Sequence, residues 1–167
     1  MYYAYAAVVV TVYVVDYTAT NNGDGTWTLA DDTLPPRAEG DYSVTVTATD
    51  PIGNAGTDGA TLIIDLTSPA APVITHAVDD VAPLTADLAS GDSTNDPTPT
   101  LTGTAEADST VTIYHGATAL GTATADATGA WSFTVPALTL DGPYSFTATA
   151  TDAAGNVSPA SAAFTLT

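Results

Sequence analysis

The sequence predicts an all-β protein built from tandem antiparallel sandwiches, and three observations predict it. Thr, Val and Ala dominate, whereas the helix-surface residues Lys and Arg number one in total among 167 residues. Short runs of alternating apolar and polar residues recur between turns rich in Gly, Asp, Asn and Pro. Much of the chain also belongs to an internal sequence repeat.

The clearest repeat joins YSVTVTATDPIGN (42–54) to YSFTATATDAAGN (144–156), which stand 102 residues apart. Other matches keep this offset or one two residues longer: Leu62 with Phe164, Ile64 with Leu166, and Trp27 with Trp131. Matches in separate segments indicate a duplicated unit of about a hundred residues. The Pro-containing stretch DLTSPAAP (65–72) is predicted to join a first unit, residues 1–67, to a second, residues 68–167.

Seven strands are predicted in the second unit. In order they are PVITHAV, TPTLTGTA, STVTIYH, TALGTATA, AWSFTVPA, GPYSFTATATD and SAAFTLT. Along the sixth, Tyr144, Phe146, Ala148 and Ala150 share one face, and Ser or Thr occupies the other. Seven short strands in about a hundred residues predict an immunoglobulin-like Greek-key β-sandwich.

Aromatic residues support this architecture. Tyr42 and Tyr144 each begin the penultimate strand after a Gly turn, the position of a tyrosine corner whose hydroxyl bonds to upstream backbone. Trp27 and Trp131 are predicted to pack between the sheets, with ligand stacking as the alternative. The lone Arg37 is expected to be a loop charge.

The first unit is predicted to be incomplete. Aligned on the second, Met1 falls near residue 103, so a counterpart of roughly residues 68–102 and the first two strands is missing. The opening run MYYAYAAVVVTVYVV is β-branched and too short for a membrane-spanning helix, so it indicates strand. An incomplete sandwich leaves an open edge that a strand of a neighbouring chain could fill.

The net charge of −18 argues against nucleic acid as a partner, because no cationic surface is available to displace phosphate counterions. Two interpretations of the acidic residues stay open: solubility of a β-rich protein, or binding of divalent cations through Asp and Asn oxygens. Cys is absent, which excludes disulfides and thiolate metal sites.

Three segments, PTLTGTAEADSTVTIY, GAWSFTVPALTLDGPYSFTATATDAAGN and ATNNGDGTWTL, resemble the bacterial immunoglobulin-like repeats of giant secreted adhesins of the RTX and biofilm-associated types. The resemblance covers the chain from about residue 16 to its end. It implies extender modules joined in a rod by calcium at the bacterial cell surface, without catalytic activity. It also implies neighbouring copies as partners, with any host or matrix ligand bound through other parts of the parent protein.

Candidate calcium ligands follow from the topology of such a sandwich, in which the loop before the last strand, the second-to-third strand loop and the N-terminal linker meet at one end. We therefore expect oxygens to converge there from Asp65, Glu106, Asp108, Asp152 and Asn156. The first unit repeats part of the set with Asp50, Asn54 and Asp58. The opposite end of the second unit carries Asp79, Asp80, Asp92, Asn95 and Asp96 and is expected to face a following module.

The same residues also fit plain turns. Asp-x-x-Gly-Asn is a tight turn in which Gly takes positive φ and Asp or Asn caps the backbone. The segment NNGDGTW is predicted to be a hairpin turn rather than a calcium loop. His76 and His115 lie in different predicted strands without a partner motif, and nothing resembles a nucleophile elbow.

The sequence thus predicts a structural extender stiffened by calcium at module junctions. Two alternatives are a filament subunit that assembles by strand exchange and a surface module that binds carbohydrate or protein. A binding module should expose clustered aromatics. Tyr2, Tyr3 and Tyr5 are the aromatic residues left without a predicted position.

Overall fold

A computed structural model describes residues 7–83 and 85–167, so Tyr2, Tyr3 and Tyr5 lie outside the described residues. The chain divides into two compact units, Met1–Leu66 and Thr67–Thr167. All regular structure in the described residues is β-strand, which confirms the predicted all-β class. Within those residues, no helix has the length and apolarity needed to span a membrane.

The described residues of the first unit form one antiparallel sheet. Its strands are β1 (Ala7–Val12), β2 (Val15–Asn21), β3 (Trp27–Thr28), β4 (Gly40–Thr49) and β5 (Ala55–Ile64), in the order β3-β2-β1-β4-β5. The alternation of β1 places Val8, Val10 and Val12 on one face, each at most 4% exposed. This confirms that the β-branched opening run forms a strand from Ala7 onward.

The connection between β3 and β4 covers the apolar face of this sheet. Leu29 and Leu34 pack against the buried valines. Arg37, expected to be a loop charge, is instead half-buried, with its guanidinium carbon 4.9 Å from the centre of the Tyr42 ring. The aliphatic part of the Arg37 side chain and its cation–π contact with Tyr42 therefore contribute to packing in this unit.

The second unit is a sandwich of two four-stranded antiparallel sheets. Its strands are β6 (Val73–Asp79), β7 (Ala86–Leu88), β8 (Thr100–Thr104), β9 (Thr110–His115), β10 (Thr118–Thr124), β11 (Ala130–Thr134), β12 (Tyr144–Thr151) and β13 (Phe164–Leu166). The sheet orders are β10-β9-β12-β13 and β11-β8-β6-β7. All seven predicted strands are present, and β7 is an addition that the sequence analysis missed.

The core of the sandwich lies between these two sheets. Leu101, Ile113, Phe146 and Leu166 are fully buried, and Trp131 is 4% exposed. On β12, Phe146, Ala148 and Ala150 are all inaccessible to solvent, which confirms the predicted period of two.

One sheet in each unit has the same order of strands along the chain. The order β2-β1-β4-β5 in the first repeats β10-β9-β12-β13 in the second. Both predicted tyrosine corners are confirmed: the Tyr42 hydroxyl donates to the Ala38 carbonyl at 3.0 Å, and the Tyr144 hydroxyl donates to the Leu140 carbonyl at 2.9 Å. The duplication in the sequence is therefore a duplication of structure.

The predicted burial of Trp27 is wrong. Trp131 lies inside the sandwich on β11, which pairs with β8. Trp27 is 41% exposed, and its strand β3 pairs with β2 at the edge of the single sheet. The described residues of the first unit supply no second sheet, so Trp27 has no opposing inner face to enter.

Candidate metal-binding loops

The repeated Asp-x-x-Gly-Asn segment folds as the same turn in both units. Asp152 Oδ1 accepts hydrogen bonds from the backbone N–H groups of Ala154 and Asn156, both at 2.9 Å. Asp152 Oδ2 accepts from the Asn156 side-chain amide at 2.9 Å. Gly155 has φ 93°, the left-handed region that an L side chain enters only with strain.

Asp50 reproduces this turn in the first unit. Its Oδ1 accepts from the backbone N–H of Ile52 at 3.0 Å and of Asn54 at 2.8 Å, and its Oδ2 accepts from the Asn54 amide at 2.8 Å. Gly53 has φ 94°. Both carboxylates thus act as caps of their own loops, as the turn interpretation expects.

The hydrogen bonds of these turns favour the ionised acids. The Asn156 amide, together with backbone amides of the turn, lowers the pKa of Asp152 below its usual value, and the Asn54 amide does the same for Asp50. Asp126 caps a third turn of this kind, between β10 and β11, where the Thr128 hydroxyl lowers its pKa. The carboxyl groups of Asp152, Asp50 and Asp126 therefore stay ionised to a lower pH than an ordinary Asp.

Strand register places three of the candidate ligands at one end of the second unit. Thr151 pairs with Thr110, so Asp152, just after β12, lies at the same end as the β8–β9 loop that carries Glu106 and Asp108. A short turn orders that loop: the backbone N–H and the hydroxyl of Ser109 donate to the Glu106 carbonyl at 3.2 and 2.7 Å. The Glu106 and Asp108 side chains are exposed.

Asp65 belongs to the first unit, where it is exposed and follows β5. Its convergence with Glu106, Asp108 and Asp152 stays a prediction. Within residues 7–83 and 85–167, no three His, Cys, Asp or Glu side chains stand together at metal-ligand spacing. In the first unit, Asp58 lies within β5 opposite Val46 and not in a loop with Asp50.

The other candidate ligands lie at the opposite end of the second unit. Asp79, 1% exposed, accepts from the Val81 N–H at 3.0 Å and from the Thr94 hydroxyl at 2.7 Å. The same hydroxyl accepts from the backbone N–H of Asp96, which is 3% exposed. Thr94 therefore links two buried acids, a role that sequence reasoning missed because Thr94 carries no charge.

The remaining candidates at this end have separate positions. Asn95 is exposed, and its amide donates to the Ala82 carbonyl at 3.1 Å. Asp80 is exposed after β6, and Asp92 accepts from the Ala89 N–H at 2.8 Å. Asp79 and Asp96 are thus structural acids at this end, whereas Asp80 and Asn95 stand at its surface.

The other motifs take structural positions. Asn22 and Thr26 close the β2–β3 connection through a backbone hydrogen bond of 3.1 Å, which confirms the predicted hairpin turn at NNGDGTW. His115 packs with its ring centre 5.2 Å from that of Tyr144. His76 lies on the outer face of its sheet, 3.0 Å from the Thr102 hydroxyl and 3.9 Å from Asp87.

Several solved structures resemble this chain, and three of them come from adhesins or biofilm-associated proteins. A tetra-tandem repeat from the extending region of a large adhesion protein is 26% identical, with 99% of this chain and 43% of that one covered and a TM-score of 0.40. The BSP domain of a biofilm-associated protein is 24% identical (98% and 25% covered, TM-score 0.39). A bacterial ice-binding adhesin is 22% identical (97% and 52% covered, TM-score 0.39). This chain thus spans between a quarter and about half of these structures.

No curated protein sequence matches the chain. The family model of the bacterial Ig-like domain matches residues 3–66 and again residues 72–167, which together take in nearly the whole chain. The two matches correspond to the two units that share a sheet order, a tyrosine corner and a capped turn. The chain therefore belongs to the bacterial Ig-like domain family.

Proposed function

We propose that this chain is a non-enzymatic spacer segment of a bacterial cell-surface adhesin or extracellular filament, with calcium stiffening its module junctions. The observation that carries the proposal is the tandem duplication of one Ig-like module, seen in the family matches and in the repeated sheet order. Modules repeated in series extend a chain by a fixed increment per copy, which is the property a spacer requires. Its partners are then neighbouring copies of the module, outside the cell.

Calcium is supported by charge and by donor chemistry. A net charge of −18 opposes compaction unless cations offset it, and exposed carboxylates are the ligands that calcium prefers. Glu106 and Asp108 are exposed at the end of the second unit where Asp152 lies. Asp152 Oδ2 accepts a hydrogen bond from the Asn156 amide, and a carboxylate oxygen has two lone pairs, so it can still bind an ion without opening its turn.

We assign the junction site to Asp65, Glu106, Asp108 and Asp152, with an oxygen of Asn156. Asp50 and Asn54 hold the equivalent place in the first unit. At the opposite end of the second unit, the exposed Asp80 and Asn95 are the ligands available to a following copy, and Asp79 and Asp96 hold their loop in shape.

Thermal melting in EDTA and in millimolar calcium tests this proposal. A dissociation constant of about 1 mM, at the weak end for extracellular modules, gives about 1.4 kcal/mol of stabilisation at about 10 mM calcium. Glu106→Gln should remove most of that gain. Asp141→Asn, which removes an exposed charge ahead of β12, at the opposite end of that strand from Asp152, is the matched control and should keep the gain. A melting temperature equal in chelator and in calcium would end the calcium assignment.

The two alternative functions have their own tests. A surface module that binds carbohydrate should give reproducible hits on a glycan array, whereas a spacer should give none. A subunit that exchanges strands with its own copies should elute above monomer mass in size-exclusion chromatography at high concentration. The charge of −18 on each copy opposes that assembly.

A further inference from the structure

The hairpin between β2 and β3 contains a dipeptide that can react with itself. Asn22 is followed by Gly23, and no other Asn in the chain precedes a Gly. A glycine leaves its backbone nitrogen free of side-chain obstruction, and a Cβ at Gly23 would meet nothing within 4 Å. Attack of that nitrogen on the Asn22 side-chain amide is therefore sterically open.

The exposure of this hairpin is a property of the module. Residues 22–28 are all exposed. In the second unit, where both sheets are present, the counterpart residues 126–128 are exposed as well. Water and hydroxide therefore reach this turn in a complete sandwich.

The second unit has an aspartate where the first has Asn22. Asp126 stands 104 residues after Asn22, at the same offset that relates the two tryptophans. The backbone N–H of Asn22 closes its turn by donating to the Thr26 carbonyl at 3.1 Å. That of Asp126 donates to the Ala130 carbonyl at 2.8 Å. The backbone of this turn thus accepts either an amide or an acid at this position.

Two threonine hydroxyls hold the Asn22 side chain in place. Its Nδ2 donates to Thr26 Oγ1 at 2.9 Å and to Thr28 Oγ1 at 3.1 Å. The Gly23 N–H donates to Asn21 Oδ1 at 2.9 Å. Ring closure turns the Asn22 side chain toward the Gly23 nitrogen and breaks the bonds to both hydroxyls, so these bonds slow the reaction without preventing it.

We propose that Asn22 and Gly23 form a site of spontaneous deamidation whose rate is set by the hydroxyls of Thr26 and Thr28. Hydroxide takes the Gly23 amide proton, and the nitrogen bonds to Asn22 Cγ. The Cγ–Nδ2 bond then breaks, and Nδ2 takes a proton from water and leaves as ammonia. Water opens the cyclic imide at one of its two carbonyls: cleavage of the new N–Cγ bond gives aspartate at position 22, and cleavage of the original peptide bond gives isoaspartate. This inference does not depend on the spacer role.

The product differs from the amide in its hydrogen bonds as well as in its charge. The one hydroxyl proton of Thr26 is donated to Asp24 Oδ1 at 2.6 Å, so Thr26 can accept from an amide at position 22 but cannot donate to a carboxylate there. In the second unit Thr128 stands in the place of Asp24, and its hydroxyl donates to Asp126. Deamidation in the first unit should therefore loosen the closure between β2 and β3.

Incubation of the full chain at neutral and at mildly alkaline pH tests the proposal. Chymotrypsin, which cleaves after Tyr and Trp, releases residues 18–27, and mass spectrometry measures the conversion of amide to acid. Conversion of Asn22 should accelerate as the hydroxide concentration rises. It should be at least about tenfold faster than that of Asn54 or Asn156, whose following residues carry side chains. A folded chain that keeps Asn22 intact while the free synthetic peptide 18–27 deamidates would overturn the proposal.

Thr28→Val tests the role of the hydroxyls. It removes one acceptor of the Asn22 amide and keeps a β-branched residue in the strand. Deamidation of Asn22 should accelerate by about two- to tenfold, the factor that one net hydrogen bond is worth. Thr20→Val, at the residue opposite Thr28 in the ladder, is the matched control and should leave the rate unchanged. Equal rates in Thr28→Val and in the native chain would contradict the role of the hydroxyls.

Asn22→Asp reproduces one product and tests its effect on the hairpin. The backbone amide at position 22, which donates to the Thr26 carbonyl, should show a lower hydrogen-exchange protection factor than in the native chain. An unchanged protection factor would show that the acid is held as well as the amide, contrary to the predicted loosening.

Discussion

Substitution of Gly103 by Ala should destabilise the second unit by about 2–3 kcal/mol. Gly103 lies opposite Trp131 in the ladder between β8 and β11. A Cβ at Gly103 would stand 2.5 Å from Cζ2 and 2.7 Å from Cε2 of Trp131, and it would also press on the Val73 carbonyl oxygen. Carbon atoms in contact prefer about 3.5–4.0 Å, so the ring has to move by about 1 Å.

The size of the destabilisation depends on which atoms around the new Cβ can move. Overpacking of a core costs about 1–3 kcal/mol, and the backbone oxygen of Val73 blocks relief by movement of the Trp131 ring alone, which favours the upper end. The loss of glycine flexibility in the unfolded chain returns about 0.4–1 kcal/mol. With a urea m-value of about 1–3 kcal/mol/M, the unfolding midpoint should fall by about 1 M or more.

Urea unfolding followed by tryptophan fluorescence measures this effect. The chain has two tryptophans, so a Trp27→Phe background leaves Trp131, at the clash, as the reporter. Ser132→Ala is the control, because this exposed side chain stands beside Trp131 on β11 and its truncation should change stability by less than about 0.5 kcal/mol. An unchanged midpoint in Gly103→Ala would refute the packing of Trp131 across β8.

Three further changes test other parts of the structure. Tyr144→Phe removes the corner hydrogen bond to Leu140 and should cost about 1 kcal/mol, seen as a melting temperature about 4–8 °C lower; no shift would mean that the corner is not formed. Asp79→Ala leaves the Thr94 hydroxyl and the Val81 N–H without their buried acceptor. The free energy of unfolding in urea should fall by about 1–3 kcal/mol. Asp80→Ala, at the exposed neighbour, should leave it nearly unchanged. Asp152→Asn should lower the melting temperature at pH 7. Because the pKa of Asp152 is depressed in the folded chain, the ionised carboxylate stabilises the fold above the unfolded pKa of about 3.9, and this stabilisation is lost as the pH falls through the folded pKa. The melting temperatures of the native chain and of Asp152→Asn should therefore converge below about pH 4.

Features that depend on local sequence were the ones that sequence reasoning predicted well. The alternation along 144–151 fixes which side of β12 is buried, and Phe146, Ala148 and Ala150 are fully buried as expected. The capped turn at Asp152 needs only the Asp, Gly and Asn that stand within five residues of one another. Recurrence of both signals at a constant offset made the repeated module recognisable.

Features that depend on distant partners were not predictable in this way. Trp27 and Trp131 occupy matching positions in sequence, but within residues 7–83 and 85–167 an opposing sheet is present for Trp131 and not for Trp27. Arg37 has the sequence context of a loop residue, and its contact with Tyr42 arises from the path of the connection over the sheet. Thr94 joins Asp79 to Asp96 through one hydroxyl, which no charge pattern indicates.

The candidate site stays a prediction. The register of β12 and β9 places Asp152 at the same end of the sandwich as Glu106 and Asp108. Convergence with Asp65 is a long-range property of the joined units and stays a prediction. The difference between the two copies of the edge strand was visible in the sequence, since GTDG at 56–59 stands where SPAS stands at 158–161.

A crystal structure of this chain grown in millimolar calcium tests the account most directly. We predict an ion bound by carboxylate oxygens of Asp65, Glu106 and Asp152, with oxygen distances of about 2.3–2.6 Å and six to eight ligands. Crystals in which these side chains bind no ion at that calcium concentration, with Asp152 engaged only by its own turn, would contradict the proposed junction.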